Sequence, residues 1–231
     1  ALEMAAEEAK GATLYVTLEP CNHNGKTPPC VEAIIKSGIS RVVCAMRDPN
    51  PEVSGGGLER LRNAGLDVSV GLLEEKAEAI NRAWVHSINN KKPFVLLKLA
   101  SSSDEKISGI DGEPCEISSF ASRAHTQRLR RYFDAIMLGV NTVLNDNPLL
   151  TNRSGKGDQP LKVILDSELK TPADADLFVE GQVLIFSSNK VCSEKKQALE
   201  VSGAEICLVD TCEQGLELEQ VLLELSRRGV Q

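Results

Sequence analysis

Cys21, in the run Thr17-Leu18-Glu19-Pro20-Cys21, and Cys30, in Thr27-Pro28-Pro29-Cys30, are the residues of this chain best placed to do chemistry. Eight residues separate them, and they fall where an apolar, strand-like run ends and a helix-like run begins. Thiolates are soft zinc ligands, and zinc takes four ligands, or three and a water where it is catalytic. Partial positive charge at a helix start favours an anionic sulfur there. Two thiols supply half of a zinc site, so the chemistry depends on what completes it.

Hydrolytic deamination is one chemistry such a half-site can serve. There a His-x-Glu pair joins a Pro-Cys-x-x-Cys segment: the His and both Cys hold zinc while the Glu moves protons. Zinc lowers the pKa of bound water towards about 7, which makes hydroxide available to attack an amino-bearing ring carbon. Pro20-Cys21 and Pro29-Cys30 supply the cysteine half with a longer gap. Spacing alone leaves two readings open, a metal site and a pair of incidental buried cysteines. Glu19 sits two residues before Cys21, where strand alternation points it away, and it is assigned no catalytic role. Asp48-Pro49-Asn50-Pro51 reads by itself as a plain turn. His86 and His125 lie on helix-like segments and read as structural or exposed.

Around these residues the pattern alternates strand and helix. Residues 2–10 are helix-like and stop at Gly11; strands follow at 12–18, 41–46 and 66–70, with helices at 30–36, 58–63 and 73–88. The polar link Asn89-Asn90-Lys91-Lys92-Pro93 divides the chain into domains at 1–90 and 93–231. Beyond it, strands are expected at 94–100, 135–140, 161–166, 183–187 and 206–209, a polar loop at 101–119, and helices at 120–132, 194–201 and 216–228. This order signals an α/β class with mostly parallel pairing. In the second domain no Gly-x-Gly-x-x-Gly follows a strand, so a Rossmann site has no support. Gly139, Thr142 and Asp146 follow a strand directly, where polar groups can reach a ligand, although Thr142 also reads as a helix cap.

Bulk properties set further limits. A length of 231 residues suits two domains of about 100–150 residues each. Aromatics make up 3%, so the core must be built from Val, Leu, Ile and Ala. A net charge of −7 argues against a duplex-binding surface, and the basic run Arg123 to Arg131 reads equally well as a solvated helix face. There is no apolar stretch long enough to span a bilayer. Seven cysteines, an odd number with Cys44 and Cys207 in apolar runs, fit a reduced compartment better than a disulfide framework. The chain opens Ala1-Leu2-Glu3 with no initiator Met and no signal or transit pattern, and reads as a fragment or processed product.

Residues 12–57, from Ala12-Thr13-Leu14-Tyr15-Val16 through the cysteine segment, Arg47-Asp48-Pro49-Asn50-Pro51 and Gly55-Gly56-Gly57, resemble the bifunctional riboflavin-biosynthesis deaminase/reductase. The likeness continues through Lys98 and Asp134 to Thr151, so it covers nearly the whole chain. It implies a cytidine-deaminase-like three-layer domain followed by a dihydrofolate-reductase-like α/β domain. It implies zinc-dependent deamination of a diaminopyrimidinone ribosyl phosphate, then NADPH-dependent reduction of the ribosyl group to ribityl. By the same resemblance Cys21 and Cys30 are zinc ligands; His23, Lys26, Asp48, Asn50, Arg130, Leu150 and Arg153 fall at substrate positions. Ala100, Thr142, Asp146 and Ser167 fall at cofactor positions. Two guanidinium groups make physical sense for a phosphate, although Arg130 also reads as one more solvated charge.

The family's His-Ala-Glu lies before residue 1, so no catalytic residue carries over and the chain alone is expected to perform neither reaction. Two departures stand in the second domain: Ser102-Ser103-Asp104-Glu105-Lys106 for Ser-Leu-Asp-Gly-Lys, and Glu116 for a Trp. A carboxylate in place of a ring is expected to weaken binding of an anionic dinucleotide, and the chain stops at Gln231 before the family's cofactor-phosphate turn. The implied setting is the cytoplasm, or a plastid for a plant or alga, with a small-molecule substrate, no nucleic acid, no membrane, and a homo-oligomer allowed. A non-catalytic paralogue kept for folding or assembly is the alternative. A deaminase of nucleosides or RNA bases fits the acidic balance and second domain less well.

Overall fold

The computed structural model describes residues 2–25, 27–51, 53, 56–110 and 115–231. They form two units, residues 1–94 and 95–231. In the first, β1 (Thr13–Leu18), β2 (Arg41–Met46) and β3 (Asp67–Val70) make a parallel sheet in that order. The helices are α1 (Leu2–Ala5), which tightens into a 3-10 turn at Ala6–Ala9, then α2 (Cys30–Lys36), α3 (Gly56–Asn63) and α4 (Glu74–Asn90). Central β2 buries Val42, Val43, Cys44 and Met46, whereas β1, at one end of the strand order among the described residues, alternates exposed and half-buried positions. A core of Ala9, Val31, Ile34, Ile39, Val42 and Leu61 ties α2 and α3 to the sheet.

The second unit is built on β4 (Ala135–Gly139), β5 (Leu161–Leu165), β6 (Val183–Ser188) and β7 (Ala204–Val209), all parallel and in chain order. Alternate side chains feed two cores: Ile164, Val183 and Ile185 pack on one face with Leu177 and Leu199. Val163, Leu184 and Phe186 pack on the other with Val221 and Leu225. Coverage of both faces is why β5 and β6 read as continuous apolar runs. The remaining elements are α5 (Phe120–Leu129), continued by a 3-10 turn at Arg130–Tyr132, α6 (Val140–Asp146), α7 (Ser193–Val201), the short pair β8 (Thr211–Cys212) and β9 (Gly215–Leu216), and α8 (Leu218–Arg227).

One side chain in this unit breaks the apolar pattern. Lys162, on β5, is 0% exposed. Its Nζ donates to the carbonyl oxygens of Leu177, at 2.6 Å, and Glu180, at the end of the 3-10 turn Asp176–Phe178. Burial pulls its pKa below the ordinary lysine value, and the Glu180 carboxylate works against that.

Two expectations are corrected. Residues 94–100 are not a strand: they have no pairing partner among the described residues, and Leu97 is 84% exposed. Apolar alternation gives a segment the capacity to be a strand, but ladder hydrogen bonds to a neighbour make it one. The strand expected at 135–140 ends at Gly139, because Val140 already opens α6.

Candidate functional site

In the first unit the end of β1 delivers Glu19, Pro20 and Cys21, and Pro29 starts α2 at Cys30. The two cysteines meet: the backbone N–H of Cys30 donates to Cys21 Sγ at 3.3 Å, and that of Val31 to the Cys21 carbonyl at 3.3 Å. The Cys21 thiol hydrogen-bonded beside it, and then burial, push the Cys30 thiol above its ordinary value. A divalent cation between the two sulfurs would favour their thiolate forms. The donor set stops there. Among the described residues no three His, Cys, Asp or Glu side chains converge on a metal-sized point. Cys21 and Cys30 thus fit zinc as two of its ligands, and His23 does not join them.

Glu19 has a role that strand alternation obscured. It is 3% exposed. Its Oε1 accepts from the backbone N–H groups of Gly57 and Leu58, each at 3.2 Å, and its Oε2 from that of Asp48 at 3.3 Å. One carboxylate therefore binds the first turn of α3 and the Asp48 loop to the strand end that carries Cys21. Contact is tight enough that a Cβ on Gly57 would lie 1.8 Å from the Pro20 carbonyl oxygen.

Asp48 is buried and its Oδ1 accepts from the Asn50 N–H at 2.8 Å. Burial raises its pKa above the ordinary carboxylate value; the Asn50 hydrogen bond opposes this, Glu19 adds to it, and His23 is close enough to oppose it. His23, Asp48 and Asn50 therefore share one neighbourhood. Lys26 lies outside the described residues.

In the second unit the sites separate. Thr142 and Asp146 are exposed on α6, directly beyond the C-terminal end of β4, and Ser167 follows β5. That edge of a parallel sheet is where open α/β folds bind ligands. Buried Asp166 holds the loop carrying Ser167, accepting from the Lys170 and Thr171 N–H groups at 2.9 and 2.8 Å and from Thr171 Oγ1 at 2.7 Å. Ala100 is half-buried at the end of the unpaired segment. Leu150 packs into the core, so only its main chain is offered to a ligand.

Arg130 and Arg153 do come together, in a cleft of about 460 Å³ whose lining adds Lys98, Arg123 and Gln127. Arg130 donates to the Thr151 carbonyl at 2.8 Å. Burial first, and then the charge of Arg153, pull its pKa below the ordinary guanidinium value. Among the described residues no carboxylate pairs with Lys98, Arg130 or Arg153. Gln127 Oε1 is buried and accepts no hydrogen bond from the described residues. Sequence reasoning missed Arg123 and Gln127, although positions 123, 127 and 130 share one helical face by their spacing.

Comparison with known proteins decides the family. Residues 93–231 match the family described as the RibD C-terminal domain. The chain belongs to the RibD family. Residues 1–46 match the cytidine and deoxycytidylate deaminase zinc-binding region. The riboflavin biosynthesis protein RibD of Aquifex aeolicus is 43% identical over 226 residues, covering 97% of this chain and 62% of that protein. Its counterpart in Bacillus amyloliquefaciens is 41% identical over 233 residues, covering 100% of this chain and 62% of that protein. The crystal structure of a diaminohydroxyphosphoribosylaminopyrimidine deaminase/5-amino-6-(5-phosphoribosylamino)uracil reductase from Thermotoga maritima superposes with a TM-score of 0.85 at 38% identity, covering 100% of this chain and 64% of that one. Acinetobacter baumannii RibD gives 0.85 at 35% identity over 99% of this chain and 63% of its own. The chain thus spans about three-fifths of the length of these relatives. The α/β class, a deaminase-like zinc-binding region followed by a reductase domain, is that of the family.

Proposed function

We propose that this chain serves riboflavin biosynthesis as part of a bifunctional enzyme. The first unit contributes Cys21 and Cys30 to a zinc site that removes an amino group hydrolytically from a diaminopyrimidinone ribosyl phosphate. When bound, zinc supplies the activated water; this chain's Glu19 fixes the loops around the thiols, and His23, Asp48 and Asn50 face the substrate's polar end. The second unit reduces the ribosyl group to ribityl with NADPH, held by Ala100, Thr142, Asp146 and Ser167, while Arg130, Arg153 and the Leu150 main chain hold the substrate.

The observation that carries the second half is the partly buried Arg130 beside Arg153 with no acid among the described residues to neutralise either. A guanidinium partly withdrawn from water without a counter-charge is stabilised by an anionic ligand, and a phosphate accepts the fork-like donors of both arginines. Small pyrimidine phosphates, no nucleic acid and a cytoplasmic setting complete the reading; among the described residues no helix is long and apolar enough to cross a membrane.

The test is to give the full-length protein zinc, NADPH and the ribosyl-phosphate pyrimidine. Ammonia release and NADPH consumption are expected together, and Arg130→Met suppresses the second while sparing the first. Neither product forming refutes the enzymatic reading and leaves the non-catalytic paralogue.

A further inference from the structure

Of the four cations lining the cleft, Arg123 alone has an acidic partner among the described residues. Its Nη1 meets Glu116 Oε2 at 2.7 Å and donates to the Ser118 carbonyl at 3.2 Å. Glu116 belongs to the short segment before α5, and its side chain is 80% exposed. Lys98, Arg130 and Arg153 face the cleft with no such counter-charge among the described residues. The carboxylate therefore affects any anion in the cleft in two ways. It occupies a guanidinium that would otherwise offer its fork to a phosphate, and it adds negative charge at the rim.

We propose that Glu116 sets the cleft's affinity for phosphate by competing with the ligand for Arg123. This rests on the reading of the cleft as a phosphate seat and adds the residue that limits it. The shared chemistry is a phosphate monoester, which a ribosyl phosphate carries at one end and NADPH carries on its adenosine ribose. Exposed ion pairs contribute little, so the effect is bounded: removing the competitor tightens binding about two- to fivefold. Screening shortens from about 10 Å at 0.1 M salt to about 3 Å at 1 M, so the gain disappears at high ionic strength.

The experiment titrates the full-length protein, by calorimetry, with ribose 5-phosphate and separately with adenosine 2′-monophosphate. It compares the unsubstituted chain, Glu116→Gln, Arg123→Met, the double variant, and Arg130→Met. Glu116→Gln is expected to tighten one or both ligands about two- to fivefold at low salt, and to lose that gain on the Arg123→Met background. Equal or weaker binding by Glu116→Gln, or the same gain without Arg123, overturns the inference while binding that depends on Arg130 leaves the phosphate seat standing. Binding of neither ligand, or binding indifferent to Arg130→Met, overturns the phosphate seat itself and the inference with it.

Discussion

Replacing Glu19 with Ala removes the acceptor for three backbone N–H groups at once, those of Asp48, Gly57 and Leu58. A hydrogen bond to a charged group contributes about 1.5–3 kcal/mol, and leaving a buried donor unpaired costs about 1–3 kcal/mol. Simple addition overstates the loss, because water can enter the vacated space and neighbouring bonds are coupled. The expected destabilisation is about 3–5 kcal/mol, among the larger effects seen for single substitutions. Glu19→Gln keeps one amide oxygen for the α3 N–H pair and loses the other acceptor, so about 1–2 kcal/mol is expected. The chain contains one Trp, Trp84 on α4, within the unit of residues 1–94. Its fluorescence during denaturant unfolding therefore follows the affected unit without interference from the second. A loss below about 1 kcal/mol for Glu19→Ala, or equal losses for Ala and Gln, would refute the clamp.

Three further outcomes follow from the same geometry. Gly57→Ala places a methyl group 1.8 Å from the Pro20 carbonyl, so it should detach the first turn of α3 and cost about 3 kcal/mol or more; combined with Glu19→Ala it should add little, read from the same fluorescence curves. Burial raises the Asp48 pKa, so the native state holds that proton more tightly than the unfolded chain; the contribution is fully present below about 3.8 and is lost as pH rises through the folded value. Unfolding free energies measured against pH should therefore fall for the unsubstituted chain relative to Asp48→Asn across that acidic window. Lys162→Met leaves the Leu177 and Glu180 carbonyls without their donor, and circular dichroism during unfolding should show a loss of about 2–4 kcal/mol.

What the sequence disclosed was local, and what it concealed was pairing. Helix Cys30–Lys36 and strand Arg41–Met46 were legible to the residue, since Pro29, Gly38 and an apolar run bound them. α6 was not, because Val140, Thr142 and Val143 are β-branched residues that prolong a strand signal past Gly139. The stretch 94–100 has the apolar pattern of a strand and lacks a neighbour among the described residues. At the site, Cys21 and Cys30 announced themselves by type and spacing. Glu19 did not, since its acceptor role depends on Gly57 and Leu58, far along the chain. Arg123, Gln127 and Arg130 share a helical face, but whether that face meets water or lines a cleft is decided by Lys98 and Arg153 from other segments.

The sealed amine on β5 also gives the domain a clock. Surface lysines acylate as soon as a reactive ester is mixed in, whereas Lys162 can be labelled only in molecules whose second unit has opened. A mass-spectrometric time course of that single modification would then count opening events in the native population, without denaturant or an added probe.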